Sequence, residues 1–229
     1  MRNKEGYRAE YIYGAGRRAL ARHDPVRALP LLRAAVDGIA MDGAHPGRHQ
    51  ELADRLYWLA ITLIKLGKSG LAIKALASSQ KLAPRGHARA LYCRVSNEYG
   101  MPRSSCPEHD DYKAFFAIQA RRYLANTPGR RFSNQTEMEA VLAVIADAWL
   151  RLHKSADLGD RSCGYKLHAF RAFRIDFPAL LPSSLSSAGT VMPGDFWPGA
   201  SASEHERCSC GSGLPVHRCC GRVPLPWER

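Results

Sequence analysis

Four of the seven cysteines in this 229-residue chain fall within thirteen residues. They read Cys208-Ser209-Cys210-Gly211-Ser212-Gly213, then Leu214-Pro215-Val216-His217-Arg218, then Cys219-Cys220-Gly221. The spacing is C-x-C, eight residues, C-C. A stretch this short has no core of its own, so something other than apolar burial must hold it. Four thiolates gathered by a tight turn make a closed tetrahedral site, and Zn²⁺ is the metal such a site prefers. Gly211 and Gly213 suit the turn because a Cβ obstructs the backbone conformations it needs. Catalytic zinc is disfavoured, since all four positions are filled by protein. Two other readings stay open here: a disulfide pair, which needs an oxidising compartment, and a redox motif, which would ordinarily be C-x-x-C at a helix start. His217, two residues before Cys219, is the alternative ligand should one of the last two cysteines not bind.

The pattern C-x-C-G-S-G-x5-C-C-G resembles the SEC-C module, the small zinc-binding tail of the SecA translocase ATPase that is appended to many other bacterial proteins. The likeness covers about fourteen residues. It implies a structural zinc on Cys208, Cys210, Cys219 and Cys220. It also implies a setting in translation, secretion or protein quality control, with a chaperone, the ribosome or a secretion component as partner. The chain departs from the module after the second glycine. Leu214-Pro215-Val216-His217-Arg218 stands where Lys and an aromatic residue are usual, so the module's partner-facing surface differs while the metal ligands do not.

The remainder of the chain reads as all-α. Periodic apolar positions place helices over Tyr11–Arg22, from Asp24-Pro25 onward, over Gln50–Leu66 and over Ser69–Leu82. Asp24 serves as N-cap with Pro25 at the first helical position, and Gly67 closes the third helix. The second helix is expected to bury Val26, Leu29, Leu32, Val36 and Ile39. Residues 53–86 are similar to a tetratricopeptide repeat: Leu56, Leu59, Ala60 and Leu63, then Leu66-Gly67, then Ala72, Leu76 and Pro84. Residues 9–42 fit the same template through Gly16, Ala19, Ala28, Leu32 and Ala35. A third unit begins near His87 with Leu91, Val95 and Tyr99. That resemblance implies a protein-binding groove lined by the first helix of each unit, and by alignment its residues are Tyr13, Arg17, Tyr57, Ile61 and Lys65, with Leu20 beside them. The competing reading is that Tyr13 and Tyr57 pack between helices.

Further along, Asp110 and Asp111 are expected to cap a helix carrying Tyr112, Phe115, Phe116, Ala120, Tyr123 and Leu124. Gln119 stands at the edge of that stripe. Asn134 with Glu137 fits a capping box before the stripe of Met138, Val141, Leu142, Ile145, Trp149 and Leu152. Residues 162–177 read as a short helix followed by a strand-like alternation from Phe173 to Phe177. Residues 178–203 read as a linker. The expected domains are therefore a tetratricopeptide-like helical domain over 1–177, the linker, and a zinc-binding module over 204–229.

Charge narrows the function classes. The net charge is +12, and residues 1–95 hold seventeen Lys or Arg against seven acids. A basic surface serves nucleic acid, an acidic partner or solubility alone. There is no apolar run long enough to span a bilayer and no signal-peptide pattern, so the expected compartment is the cytoplasm. No phosphate-cradling loop, nucleophile elbow or zinc-protease motif is present, and the expected class is not an enzyme. The leading expectation is an adaptor that binds protein partners through helical repeats and a zinc tail held by four cysteines. The alternative is a nucleic-acid binder that uses the basic N-terminal helices.

Overall fold

The computed structural model describes residues 2–41, 46–155, 158–159, 161–177, 207–224 and 226. The expected linker at 178–203 lies outside them. Among the described residues there are eight α-helices and no named strand, so the fold is all-α. The helices are α1 (Arg2–Ala21), α2 (Pro25–Met41), α3 (His49–Lys65), α4 (Ser69–Leu82), α5 (Ala88–Val95), α6 (Pro107–Ala125), α7 (Gln135–Ser155) and α8 (Cys163–Ala172). None is long and apolar enough to cross a membrane. The chain divides into two compact units: Met1–Asn97 with Arg207–Pro215, and Glu98–Glu206 with Val216–Arg229.

In the first unit each helix packs chiefly on the next in sequence, α1 on α2, α2 on α3, α3 on α4 and α4 on α5, with a lesser contact between α1 and α3. Short connections enforce this. After α1, His23 takes a left-handed backbone (φ 58°), and Asp24 accepts the Arg27 amide at 2.9 Å as the N-cap of α2. After α3, Gly67 is left-handed (φ 71°). The Gly67 amide reaches the Ile64 carbonyl at 3.0 Å and the Lys68 amide reaches that of Leu63 at 2.8 Å. These are the two bonds of a Schellman C-cap.

The buried face of α2 differs from expectation. Val26 is 71% exposed, and the core positions are Ala28, Leu32, Ala35 and Ile39. Small residues win because α1 comes close. A Cβ on Gly16 would lie 2.8 Å from Leu32 Cγ, so the α1–α2 contact is set by Gly and Ala rather than by the bulkiest side chains. In α5 the fully buried residue is Tyr92. Tyr99, expected as a helical position there, lies beyond the helix end at Val95.

The second unit is organised on α6, which packs against α7 and α8. Its core joins Phe115, Ala120, Tyr123, Val141, Ile145, Leu152, Leu167 and Phe170 with Tyr99, Met101, Phe177 and Val223. Three expectations are corrected. Asp110 and Asp111 are not caps, because α6 begins at Pro107 and both acids are buried inside it. Asp111 accepts the Tyr99 hydroxyl at 2.5 Å and pairs with Lys166 of α8 at 2.8 Å. Gln119 is not at the edge of the stripe: it is fully buried, and its Nε2 donates to the Phe170 and Phe173 carbonyls at 2.8 and 2.9 Å. These acceptors lie in the last turn of α8 and just beyond it, where helical carbonyls lack intrahelical donors. Residues 173–177 form no strand. They run on from α8 with Phe177 buried and Phe173 and Ile175 packed on the core, while Arg174 and Asp176 are exposed. The capping box holds: Asn134 Oδ1 accepts the Glu137 amide at 2.8 Å and Glu137 Oε2 accepts the Ser133 amide at 2.5 Å.

Candidate functional site

The tail closes on itself through backbone bonds. Arg207 and Pro215 form an isolated antiparallel bridge, and the Cys208 amide donates to the Leu214 carbonyl at 2.8 Å. The chain reverses between them through Gly211 (φ 79°) and Gly213 (φ 68°), as the turn requires. Ser212 is fully buried, and its Oγ accepts the Leu214 amide at 3.3 Å. A single turn of 3₁₀ helix, Val216–Arg218, follows. The Val216 carbonyl then accepts two amides, Cys219 at 3.0 Å and Gly221 at 2.8 Å. Gly221 has no room for a side chain, since a Cβ would sit 3.0 Å from that carbonyl oxygen.

This winding gathers Cys208, Cys210, Cys219 and Cys220. All four Sγ atoms lie within 4.8 Å of one another, and none is in a disulfide. A tetrahedron with Zn–S of about 2.3 Å has S···S edges of roughly 3.8 Å. The four sulfurs therefore fit a metal ion with small inward adjustments. Cys208 and Cys219 are buried, Cys210 is half-buried and Cys220 is exposed. His217 is not part of the cluster. Its Nε2 lies 3.8 Å from Glu98 Oε2, and the Arg218 guanidinium is 3.2 Å from Glu98 Oε1.

The five residues expected to meet a partner lie on α1 and α3. Tyr13, Tyr57 and Ile61 are half-buried, and Arg17 and Lys65 are exposed. Arg17 lies over two rings, 5.7 Å from the centre of Tyr13 and 4.7 Å from that of Trp58. Below them Arg55, 1% exposed, stands 5.2 Å from the Tyr13 ring. Arg55 donates to the Ala35 carbonyl at 2.8 Å and to the carboxylates of Glu10 and Glu51. Burial is the main reason the Tyr13 phenol is raised above its ordinary pKa, with Arg17 opposing it. Tyr57 meets Trp58 edge-on at 5.8 Å and His87 at 6.3 Å. Sequence reasoning missed Trp58 and Arg55. The repeat template pointed to Tyr57, whereas the ring that meets Arg17 belongs to the next residue, about 100° further around the helix.

Lys166, Asp111 and Tyr99 form a buried ionic cluster in the second unit. Burial, then the hydrogen bond to Asp111, raises the Tyr99 phenol far above its ordinary pKa. The aromatic residues of 162–177 serve the core: Phe170 stands 5.8 Å from both Phe115 and Trp149.

No protein-family model, no curated protein and no solved structure matches the chain.

Proposed function

We propose that this chain is a non-enzymatic adaptor. Successive helical hairpins, read as tetratricopeptide-like repeats, hold a segment of a protein partner, and a SEC-C-like tail is fastened by one structural Zn²⁺ on Cys208, Cys210, Cys219 and Cys220. The observation that carries the metal reading is the convergence of all four sulfurs within 4.8 Å. Among the described residues, Leu214 and Val223 are the tail's buried apolar side chains besides its cysteines, and zinc binding supplies further folding free energy. The resemblance to SEC-C makes a chaperone, the ribosome or a secretion component the partner class to test first.

The partner surface proposed is the α1–α3 face. Arg17 spread over Tyr13 and Trp58, with Tyr57, Ile61 and Lys65 alongside, suits a short amphipathic segment carrying acidic residues. In the tail, His217 and Arg218 face Glu98, which favours the helical face over the tail as the main docking point. The test is recovery of protein partners from native lysate after nuclease treatment, comparing the native chain with Arg17→Glu and Trp58→Ala. Partners that survive nuclease and are lost in both variants support the adaptor. Partners held equally by all three proteins remove the proposed face.

The nucleic-acid reading is kept for one reason: Arg17 and Arg18 on α1, Arg22 in the turn after it, and Arg27 and Arg33 on α2 are all exposed. It predicts affinity that falls by roughly one power of salt concentration per phosphate contacted. Recovery of nucleic acid, with every protein lost on nuclease treatment, would establish it in place of the adaptor.

A further inference from the structure

We infer that the second half of the metal site is held by the helical unit in which it lies, through Glu98, Tyr99 and Arg171, so that zinc binding and the folding of that unit stabilise each other. The inference rests on the reading of the cysteine cluster as a zinc site. Cys219 and Cys220 are tied on both flanks to residues distant in sequence. Ahead of them, Arg218 and His217 meet the two carboxylate oxygens of Glu98 at 3.2 and 3.8 Å. Behind them, Arg171 of α8 donates to the Gly221 carbonyl at 3.5 Å, and the Val223 amide donates to the Tyr99 carbonyl at 3.0 Å. The Val223 side chain is buried in the same core as Tyr99, Phe115 and Phe170. On the other side of this clamp, the Cys163 thiol contacts the Glu98 carbonyl at 3.7 Å, and the Tyr99 hydroxyl binds Asp111.

A tail folding independently would have none of these attachments. Here the residues just before and just after the cysteine pair are anchored to Glu98–Tyr99 and to α8. Groups that fix the orientation of metal ligands raise affinity by lowering the cost of ordering them. Linkage then runs both ways: if the folded unit tightens zinc, zinc stabilises the folded unit by the same factor.

The full-length chain tests this with two readouts. Zinc affinity is measured by competition with a chromophoric chelator, and helix unfolding is followed by circular dichroism with and without zinc. Glu98→Ala is expected to keep the helical signal, because the Glu98 side chain is 57% exposed, and to weaken zinc on the order of tenfold. Glu98→Gln, which keeps one acceptor for Arg218, should fall between. Chelation should lower the helix unfolding midpoint of the native chain by roughly 5 °C or more, and Cys219→Ser should show the low midpoint whether or not zinc is present. Tight zinc binding that is unchanged in Glu98→Ala, or a helix midpoint indifferent to zinc, overturns the coupling and leaves the metal site standing. A native chain that takes up no zinc overturns both.

Discussion

His23 carries a strain that its counterpart in the next hairpin avoids. The α1–α2 connection repeats the bonds of the α3–α4 connection: the His23 amide reaches the Leu20 carbonyl at 3.1 Å, and the Asp24 amide reaches that of Ala19 at 3.0 Å. The left-handed residue is glycine in one (φ 71°) and histidine in the other (φ 58°). A side chain in that region costs about 1–2 kcal/mol, and glycine returns part of the gain as lost chain entropy. His23→Gly is therefore expected to raise stability by about 0.5–1 kcal/mol, read as a higher denaturant midpoint; a lower midpoint would show that the histidine makes a compensating contact. A second residue-scale effect concerns Tyr123 and Glu137, joined by a short hydrogen bond. The Tyr123 hydroxyl, then the Ser133 amide, holds the Glu137 carboxyl below its usual range against an opposing desolvation. Its contribution is complete above the unfolded value of about 4.3 and is lost as pH falls through the folded one. For Tyr123 the sign reverses. Burial, then Glu137, pushes the phenol up to about 12, so its contribution is complete below about pH 10 and is lost as pH rises through the folded value. Stability measured against pH should therefore decline at both ends. Tyr123→Phe should flatten the alkaline limb, and Glu137→Gln should flatten the acid one; limbs unchanged by both substitutions would place the titration elsewhere.

At the scale of the helix, two glycines make opposite predictions from the same chemistry. Alanine is favoured over glycine inside a helix by about 0.8–1 kcal/mol. Gly38 in α2 has nothing within 4 Å of where its Cβ would stand, so Gly38→Ala should stabilise by close to that amount. Gly16 in α1 faces the fully buried Leu32, with Cγ and Cδ2 at 2.8 and 2.9 Å from the added Cβ. Overpacking there costs about 1–3 kcal/mol, which exceeds the propensity gain, and Gly16→Ala should lower the thermal midpoint. Midpoints that move the same way in both variants would mean that the close approach of α1 and α2 is not tight. The sequence made much of this architecture readable. Pro25 and Gly67 act through their own backbone, and Asn134 and Glu137 through side-chain oxygens that accept amides three or four residues away, so the helix boundaries they set follow from local chemistry alone. The buried face of α2 was less accessible, because Val26 is the more apolar residue and Ala28 is the one turned inward. Which side a helix buries depends on how near its neighbour comes, and only the small residues Gly16, Ala28 and Ala35 hint at that distance. Asp110, Asp111 and Gln119 were misplaced for a related reason. A polar residue in an apolar stripe reads as an edge or a cap unless its partner is known; for Asp111 and Gln119 the partners, Lys166 and the Phe170 and Phe173 carbonyls, lie about 50 residues away, while Asp110 accepts the Ser104 amide six residues before it.

For the whole molecule, the cysteine tail was the most legible feature and its attachment the least. C-x-C and C-C with glycines between them announce a four-sulfur site because the spacing alone brings the thiols near one another. Nothing in that spacing points to Glu98, 120 residues from Arg218, or to Tyr99 as an acceptor for Val223. The alternatives left by the sequence, bound metal or disulfides, differ in how many thiols can be counted. Seven cysteines are present, four in the cluster and three, Cys93, Cys106 and Cys163, elsewhere and half-buried. Brief alkylation of the folded, metal-loaded chain, followed by mass measurement, should modify at most those three, because the cluster thiolates are committed to the ion. Unfolding in denaturant with a chelator and no reductant should then expose all seven. A disulfide-linked tail would give three in both conditions, since chelation releases a metal but breaks no S–S bond. Cobalt(II) offered in place of zinc should add thiolate absorption bands that saturate at one ion per chain, and Cys208→Ser should weaken them. Seven reactive thiols after chelation together with saturation at one ion would establish the four sulfurs as a metal site; three thiols in both conditions would transfer the stabilisation of the tail from metal to covalent bonds and remove zinc from the proposed function.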